Sequence, residues 1–270
     1  MKSLNLEYIM NLANINAKAY QSTVPFPYGS FKNFLNEETA ERMVEDFPAI
    51  NESFYKYDNP LEKKYAFDKI SELPDSIRNT LIELNTPPFL NFLEKLTGIK
   101  NLVPDPYYRG GGVHQSKRGG KLDIHIDFNR HPKLKLERRL NVLIYLNKNW
   151  KEEYNGDFQI WDGYKDENGK HVLTEFIERI YPTFNTFACF NTSERSYHGF
   201  PEEIQCPEDM TRKSIAMYYY TVSREDEYKS TNIHSTTFIK LPHEDDSLEE
   251  MREQRNRGRL TSNVKDENLS

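Results

Sequence analysis

One histidine and one carboxylate stand two residues apart in a segment of strictly alternating apolar and polar residues. The segment is LDIHIDF (residues 122–128), and its alternation is typical of a half-buried β-strand. Because side chains two apart on a strand point to the same face, His125 and Asp127 project together, while Ile124 and Ile126 face the other way. The spacing therefore predicts that an imidazole and a carboxylate converge on one point.

A third side chain able to bind a metal ion follows later in the chain, as His198 in the segment SYHGF (residues 196–200). A histidine and an aspartate two apart are common on solvated strand faces, so the third residue is needed to indicate a site. Two histidines and one carboxylate on one side of a metal, with the other positions open, form the facial triad of non-haem Fe(II) centres. The same three ligands also suit zinc.

Five segments, in this order along the chain, resemble the Fe(II)- and 2-oxoglutarate-dependent dioxygenases. They are HID (125–127), LIYLNKNW (143–150), NGD (155–157), His198 and RKS (212–214). The resemblance covers residues 100–240 and is greatest to the prolyl 4-hydroxylase-like branch. It implies that His125, Asp127 and His198 bind Fe(II), with 2-oxoglutarate as cosubstrate, O2 as oxidant and ascorbate as a reductant.

The resemblance also implies where the cosubstrate binds. 2-Oxoglutarate chelates the metal through its 2-oxo and adjacent carboxylate groups, so its distal carboxylate needs a cation. Arg212 suits this role because a guanidinium makes two parallel charge-assisted hydrogen bonds to a carboxylate. Ser214 lies on the same strand face, and Tyr145 precedes Leu146-Asn147 as does the tyrosine that contacts this carboxylate in the similar prolyl hydroxylases.

Two departures from the family pattern concern the same end of the site. His198 and Arg212 are further apart than in several branches, which implies an extra loop at residues 201–210. Asn155-Gly156 stands where the family usually has Gly-Gly, and a tight turn tolerates either pair.

Short strand signals separated by turn residues fill the chain from residue 107 onward. They cover residues 113–116, 122–128, 140–146, 158–161, 187–190 and 215–221. This pattern predicts a sandwich or jelly roll, and the resembled family has a double-stranded β-helix. We therefore expect a mainly β fold with flanking helices. Residues 1–100 would be an N-terminal helical support region of the same domain, residues 101–240 the catalytic core, and residues 241–270 a charged, partly disordered tail.

Composition limits the setting and the partners of the protein. A chain of 270 residues with 37% hydrophobic content suits one large domain. Its net charge is -6 with no basic stripe, so we expect no nucleic-acid partner. Two cysteines, Cys189 and Cys206, fit a reducing cytoplasm. We find no signal-peptide pattern and no apolar run of about 20 residues, so we expect no membrane partner.

Three classes of function fit these residues. The first is a hydroxylase acting on an unactivated C–H bond, the second a non-catalytic jelly-roll binding module, and the third a zinc hydrolase that uses the same triad. Only the first explains Arg212 and Tyr145. Its substrate would be a peptide or a small molecule. Peptidyl or free proline ranks first by the resemblance. A small polar or anionic metabolite ranks second, because the basic loop NRHPKLK (129–135) follows the metal strand.

Overall fold

The computed structural model describes residues 2–224 and 232–257. Its α-helices are α1 (Leu6–Ser22), α2 (Glu37–Glu45), α3 (Asp75–Glu83), α4 (Pro87–Thr97) and α5 (Glu249–Asn256). Its strands are β1 (Tyr28–Lys32), β2 (Tyr55–Asn59), β3 (Glu62–Phe67), β4 (Val103–Pro104), β5 (Gly112–Ser116), β6 (Lys121–Ile126), β7 (Glu137–Tyr145), β8 (Phe158–Lys165), β9 (His171–Ile180), β10 (Thr186–Asn191), β11 (Tyr197–Phe200), β12 (Arg212–Thr221) and β13 (Thr237–Phe238).

The strands form one antiparallel sheet in the order β1-β10-β7-β12-β5-β3-β6-β11-β8-β9, and β13, β2 and β4 add to β6, β3 and β12. The order departs widely from the sequence order, as in a jelly roll, so strands far apart in the chain become neighbours. In particular, β6 and β11, which carry the predicted metal ligands, pair directly. A mainly β fold with flanking helices is thus confirmed.

The N-terminal helices cover one face of the sheet. In α4, Phe89, Phe92 and Leu96 recur at helical spacing and are fully buried, and the helix has proline in its first turn. It ends at Gly98, whose φ of 76° is the left-handed conformation that glycine adopts freely. The ring of Phe92 lies 5.8 Å from that of Phe187 on β10. The helices therefore pack on the outside of the sheet and leave its inner face to the site.

The first 100 residues also contribute strands. The hairpin β2–β3 lies in a segment with no clear sequence pattern, and β3 inserts between β5 and β6. The alternation of EKKYAF is hidden because the inward-facing positions hold Glu62 and Lys64, and charged residues usually indicate a solvent-exposed face. The strand β9 also shows no clear alternation, because half of its residues are exposed and they include the apolar Phe176.

The hairpin is held close to the sheet at Gly112, at the start of β5. Its φ is 82°, and a Cβ there would collide with the carbonyl oxygen of Phe67 on β3.

None of the helices in the described ranges is long and apolar enough to cross a membrane. Of the tail predicted at residues 241–270, residues 241–257 are described and contain α5, and residues 258–270 lie outside the described residues.

Candidate metal centre

The three predicted metal ligands lie together on the inner face of the sheet. His125 on β6 is the register partner of His198 on β11, and their ring centroids are 4.4 Å apart. Asp127 follows the end of β6, with its Oδ1 3.8 Å from Nε2 of His125 and its Oδ2 3.5 Å from Nε2 of His198. All three candidate ligand atoms lie within 4.8 Å of one another. This arrangement can hold one divalent metal ion.

Both histidines are fixed in the tautomer that a metal requires. The ring Nδ1 of His125 lies 2.9 Å from the carbonyl oxygen of Asp123, and Nδ1 of His198 lies 2.7 Å from that of Ser196. A carbonyl only accepts, so each Nδ1 carries the proton and each Nε2 keeps its lone pair. Burial lowers the pKa of His125 to about 3 and also lowers the pKa of His198. Both rings are therefore neutral, and available as ligands, at pH 7.

The carboxylate of Asp127 contacts two side chains that the sequence did not indicate, Asn141 and Arg138. The side-chain amide of Asn141 donates to its Oδ2 at 2.7 Å, and Nη2 of Arg138 lies 3.3 Å from the same oxygen. The Nε of Arg138 also donates to Oδ1 of Asn141 at 2.9 Å, which orients the amide. Burial acts to raise the pKa of Asp127, but the charge of Arg138 and the hydrogen bond from Asn141 hold that pKa well below its ordinary value, so the carboxyl is ionised.

Arg138 is itself enclosed. It is 2% exposed, and its guanidinium lies between the rings of Phe128 and Tyr218, at 4.3 Å and 3.7 Å from their centroids. In sequence it is one of two consecutive arginines, and only the strand register decides which of them points inward. Because Oδ2 of Asp127 is occupied by Arg138 and Asn141, we infer that Oδ1 is the oxygen left for a metal.

We predict that Arg138→Met or Asn141→Val weakens metal binding by about 10- to 100-fold, the usual effect of losing a partner that orients a ligand. Co(II) affinity, followed by its visible absorption without turnover, measures the effect. Arg139→Met is the matched control, since Arg139 contacts Thr221 instead. Equal Co(II) affinity in Arg138→Met, Asn141→Val and the control would contradict this role.

The predicted cosubstrate residues lie on the same inner face. Ser214 on β12 is the register partner of Tyr145 on β7, and Nη2 of Arg212 donates to the Tyr145 hydroxyl at 3.4 Å. The Nε of Arg212 donates to the carbonyl oxygen of Gly156 at 2.5 Å, and its guanidinium lies 4.3 Å from the ring centroid of Phe200. Tyr145 shares an apolar cluster with Phe158 and Phe190, whose rings lie beside that of His198, so the cosubstrate residues and the triad lie on the same face of the sheet.

Arg212 is a buried cation that lacks a counter-charge. It is 6% exposed, burial lowers its pKa, and no carboxylate of the described residues forms an ion pair with it. An uncompensated buried charge is costly, so a bound anion would be strongly favoured there. The site therefore fits a ligand that places a carboxylate beside Arg212.

The loop between β11 and β12, predicted from the long spacing between His198 and Arg212, is present and packed. Ile204 exchanges backbone hydrogen bonds with Gly119 and Gly120, and Ile204 and Cys206 are buried beside Trp150. Gly156 meets this loop with a φ of 75°, and a Cβ there would lie 3.0 Å from Cδ of Arg212. Of the Gly-Gly pair usual in the family, the second glycine is present here as Gly156, and this close approach to Arg212 requires it.

Comparison with known proteins agrees with this geometry. Residues 111–220 match the family model described as the 2OG-Fe(II) oxygenase superfamily. A prolyl hydroxylase from Trichoplax adhaerens, solved in complex with a hypoxia inducible factor peptide fragment, is similar over 80% of this chain and 91% of its own, with 20% identity and a TM-score of 0.53. A prolyl 4-hydroxylase structure from Phytophthora capsici is similar over 82% of this chain and 67% of its own, with 13% identity and a TM-score of 0.51. No curated protein matches the sequence.

The fold is thus a double-stranded β-helix of the kind found in prolyl hydroxylases, and its inner face carries a two-histidine, one-carboxylate site. Residues 111–220 are a 2OG-Fe(II) oxygenase domain, and they contain all six predicted site residues. This domain is that of a 2-oxoglutarate-dependent non-haem iron dioxygenase, a class whose cofactors are Fe(II), 2-oxoglutarate and O2. His125, Asp127 and His198 could bind the iron.

Proposed function

We propose that the protein hydroxylates an unactivated C–H bond of a prolyl substrate. In this proposal His125, Asp127 and His198 bind Fe(II), while Arg212, Tyr145 and Ser214 bind the distal carboxylate of 2-oxoglutarate. The observation that carries it is the buried guanidinium of Arg212, which forms no ion pair with a carboxylate of the described residues and lies on the same inner face as the triad. A binding module or a zinc hydrolase has no use for such a cation.

Each group of residues has a separate task. The two Nε2 atoms and the Asp127 carboxylate occupy one side of the metal and leave the other side to ligands. Arg212 and Tyr145 fix the far end of the cosubstrate, so its metal-binding end is oriented. The rings of Phe190 and Phe158, whose centroids are 4.4 Å and 5.4 Å from that of His198, exclude water from this side. When bound, iron and 2-oxoglutarate supply the oxidising chemistry with O2 and release succinate and CO2.

An anaerobic titration tests the proposal directly. Fe(II) and 2-oxoglutarate together should give the visible absorption of a 2-oxo acid chelated to iron, whereas Fe(II) with succinate should not. Zn(II) with 2-oxoglutarate provides a second control, because zinc has a filled d shell. If the absorption is missing when both ligands are bound, as judged by calorimetry, the assignment of these residues is wrong.

Proline is proposed as the reacting group because both compared structures with the same fold are described as prolyl hydroxylases. One of them is described in complex with a peptide, so a peptide is a reasonable first substrate to test. We also propose that residues 101–240 act as the catalytic core, supported by residues 1–100. A reducing, cytoplasmic location is proposed from Cys189 and Cys206, which are both buried and unpaired.

Two cations of the basic loop at residues 129–135 have contacts with neutral groups. Arg130 donates to the carbonyl oxygen of Lys135, and Nζ of Lys133 lies over the ring of Tyr107 at 4.9 Å. Neither contact neutralises the positive charge. Asn129 of the same loop lines a small cleft beside Asp127. The attraction of acidic substrates by this loop therefore stays a prediction.

A further inference from the structure

A lysine on β3 faces the site. Along β3, Glu62 pairs with Leu122 on β6 and Ala66 pairs with His114 on β5, so the residue between them, Lys64, shares their face. His114 pairs in turn with Ser214 on β12, which places this face on the side of the cosubstrate residues. The Lys64 side chain is 19% exposed, so a ligand in the cavity can reach it.

The other residues of β3 confirm this orientation. Phe67 is buried in the apolar core shared with the helices, and the side chain of Lys63 is 42% exposed and pairs with Glu203. They lie on the face opposite to Lys64. The ring of Phe238 connects this wall to the triad, because it lies 5.5 Å from the ring of His125 and 5.6 Å from the guanidinium of Arg255, which binds Glu62.

The carboxylate nearest to Lys64 is already engaged by another cation. Both Nε and Nη2 of Arg255, on α5, donate to Oε1 of Glu62, at 3.2 Å and 3.0 Å. The Lys64 Nζ lies 3.7 Å from Oε2 of Glu62, beyond hydrogen-bond distance. Its other contact is the ring of Tyr57, at 5.0 Å. Among the described residues, one buried carboxylate thus faces two cations, and this wall keeps one positive charge in excess.

Binding of the cofactors does not remove this excess. The two carboxylates of 2-oxoglutarate and that of Asp127 carry fewer negative charges than the positive charges on Fe(II), Arg138 and Arg212 together. Lys64 and Arg255 still share the single negative charge of Glu62, in a cavity of low dielectric where charges interact strongly. A neutral substrate would leave the excess uncompensated, and an anionic one would balance it.

We propose that Lys64 binds a carboxylate of the substrate and thereby selects acidic substrates. This inference rests on the proposed hydroxylase function and names its substrate class, a prolyl compound with a carboxylate close to the reacting ring. The carboxylate could belong to free proline itself or to an acidic residue next to proline in a peptide. Lys64 is then a specificity-determining residue, and Arg255 keeps Glu62 from neutralising it.

Matched substrate pairs test the proposal. Free L-proline is compared with L-prolinamide, and a blocked Asp-Pro peptide with the Asn-Pro peptide of otherwise equal sequence. Succinate formation is followed above the background without substrate. We expect the unaltered protein to prefer the acidic member of at least one pair, and the pair that shows it identifies the source of the carboxylate. Lys64→Met should reduce that preference about tenfold or more, mainly through KM, equivalent to the loss of one charged contact.

Two further variants make the result specific. Lys63→Met removes a charge from the opposite face of the same strand and should keep the preference. Lys64→Arg keeps the charge and should keep most of it, which guards against a folding defect in Lys64→Met. The proposal is overturned if the unaltered protein treats both members of each pair alike, if no acidic member is accepted, or if Lys63→Met loses as much as Lys64→Met. The iron and 2-oxoglutarate absorption is measured first, so failure of the proposed function is recognised separately.

Discussion

Asp127→Asn should abolish succinate formation. The substitution keeps the size of the side chain and removes the only anionic member of the triad, so iron would lose its charged ligand. We expect activity to fall by well over 100-fold, more than the 10- to 100-fold loss typical of removing a group that only orients a ligand. Asp162→Asn, which removes a surface carboxylate paired with Arg195, is the control and should retain full activity.

The same substitution has a second expected consequence. Arg138 is buried and its only ion pair with a described carboxylate is with Asp127, so its charge would become uncompensated. Breaking a buried pair in this way costs about 3–5 kcal/mol. We therefore expect Asp127→Asn to unfold at a lower temperature than the unaltered protein in the absence of metal. If Asp127→Asn lost activity but unfolded at the same temperature as the unaltered protein, the charge of Arg138 would not depend on Asp127 for compensation.

Arg212→Met should raise the 2-oxoglutarate requirement by roughly two to three and a half orders of magnitude, because the distal carboxylate would lose its buried counter-charge, a loss of about 3–5 kcal/mol. Methionine keeps most of the apolar packing against Phe200. Fe(II) affinity should stay within about threefold of the unaltered protein, since Arg212 contacts none of the three metal ligands. The measurement is the 2-oxoglutarate dependence of succinate formation, with metal affinity determined separately.

Lys213→Met is the matched control for this experiment. Lys213 is the next residue on β12 but lies on the outer face, with its Nζ 6.0 Å from the ring centroid of Phe47. It should leave the 2-oxoglutarate requirement unchanged. If Arg212→Met left the 2-oxoglutarate requirement unchanged, another inward-facing cation, such as Lys64, would bind the distal carboxylate.

The sequence was sufficient to predict the triad, because local alternation places His125 and Asp127 on one strand face and the resemblance to one family adds His198. The order of five segments also led to the predicted cosubstrate residues, whose role stays a prediction. Arg138 and Asn141 could not be predicted, since their contact with Asp127 depends on the register between β7 and the end of β6.

Lys64 illustrates a different limit. Charged residues at alternate positions normally indicate the solvated face of a strand, and in β3 they lie on the inner face. Their burial follows from partners supplied by distant parts of the chain, above all the contact of Glu62 with Arg255, 193 residues further on. No pattern within a short segment contains that information.

The contact between Glu62 and Arg255 also bears on how the protein is made. The wall that carries Lys64 is formed by the hairpin β2–β3, near residue 60, and by α5, near residue 255. The strand β13, which also comes late in the chain, pairs with β6, the strand that carries His125. During synthesis, His125, Asp127 and His198 leave the ribosome well before this wall can close. A contact of such long sequence separation is slow to form, because the intervening chain must first be ordered. The metal ligands of a nascent chain are therefore accessible from a side that the completed fold covers.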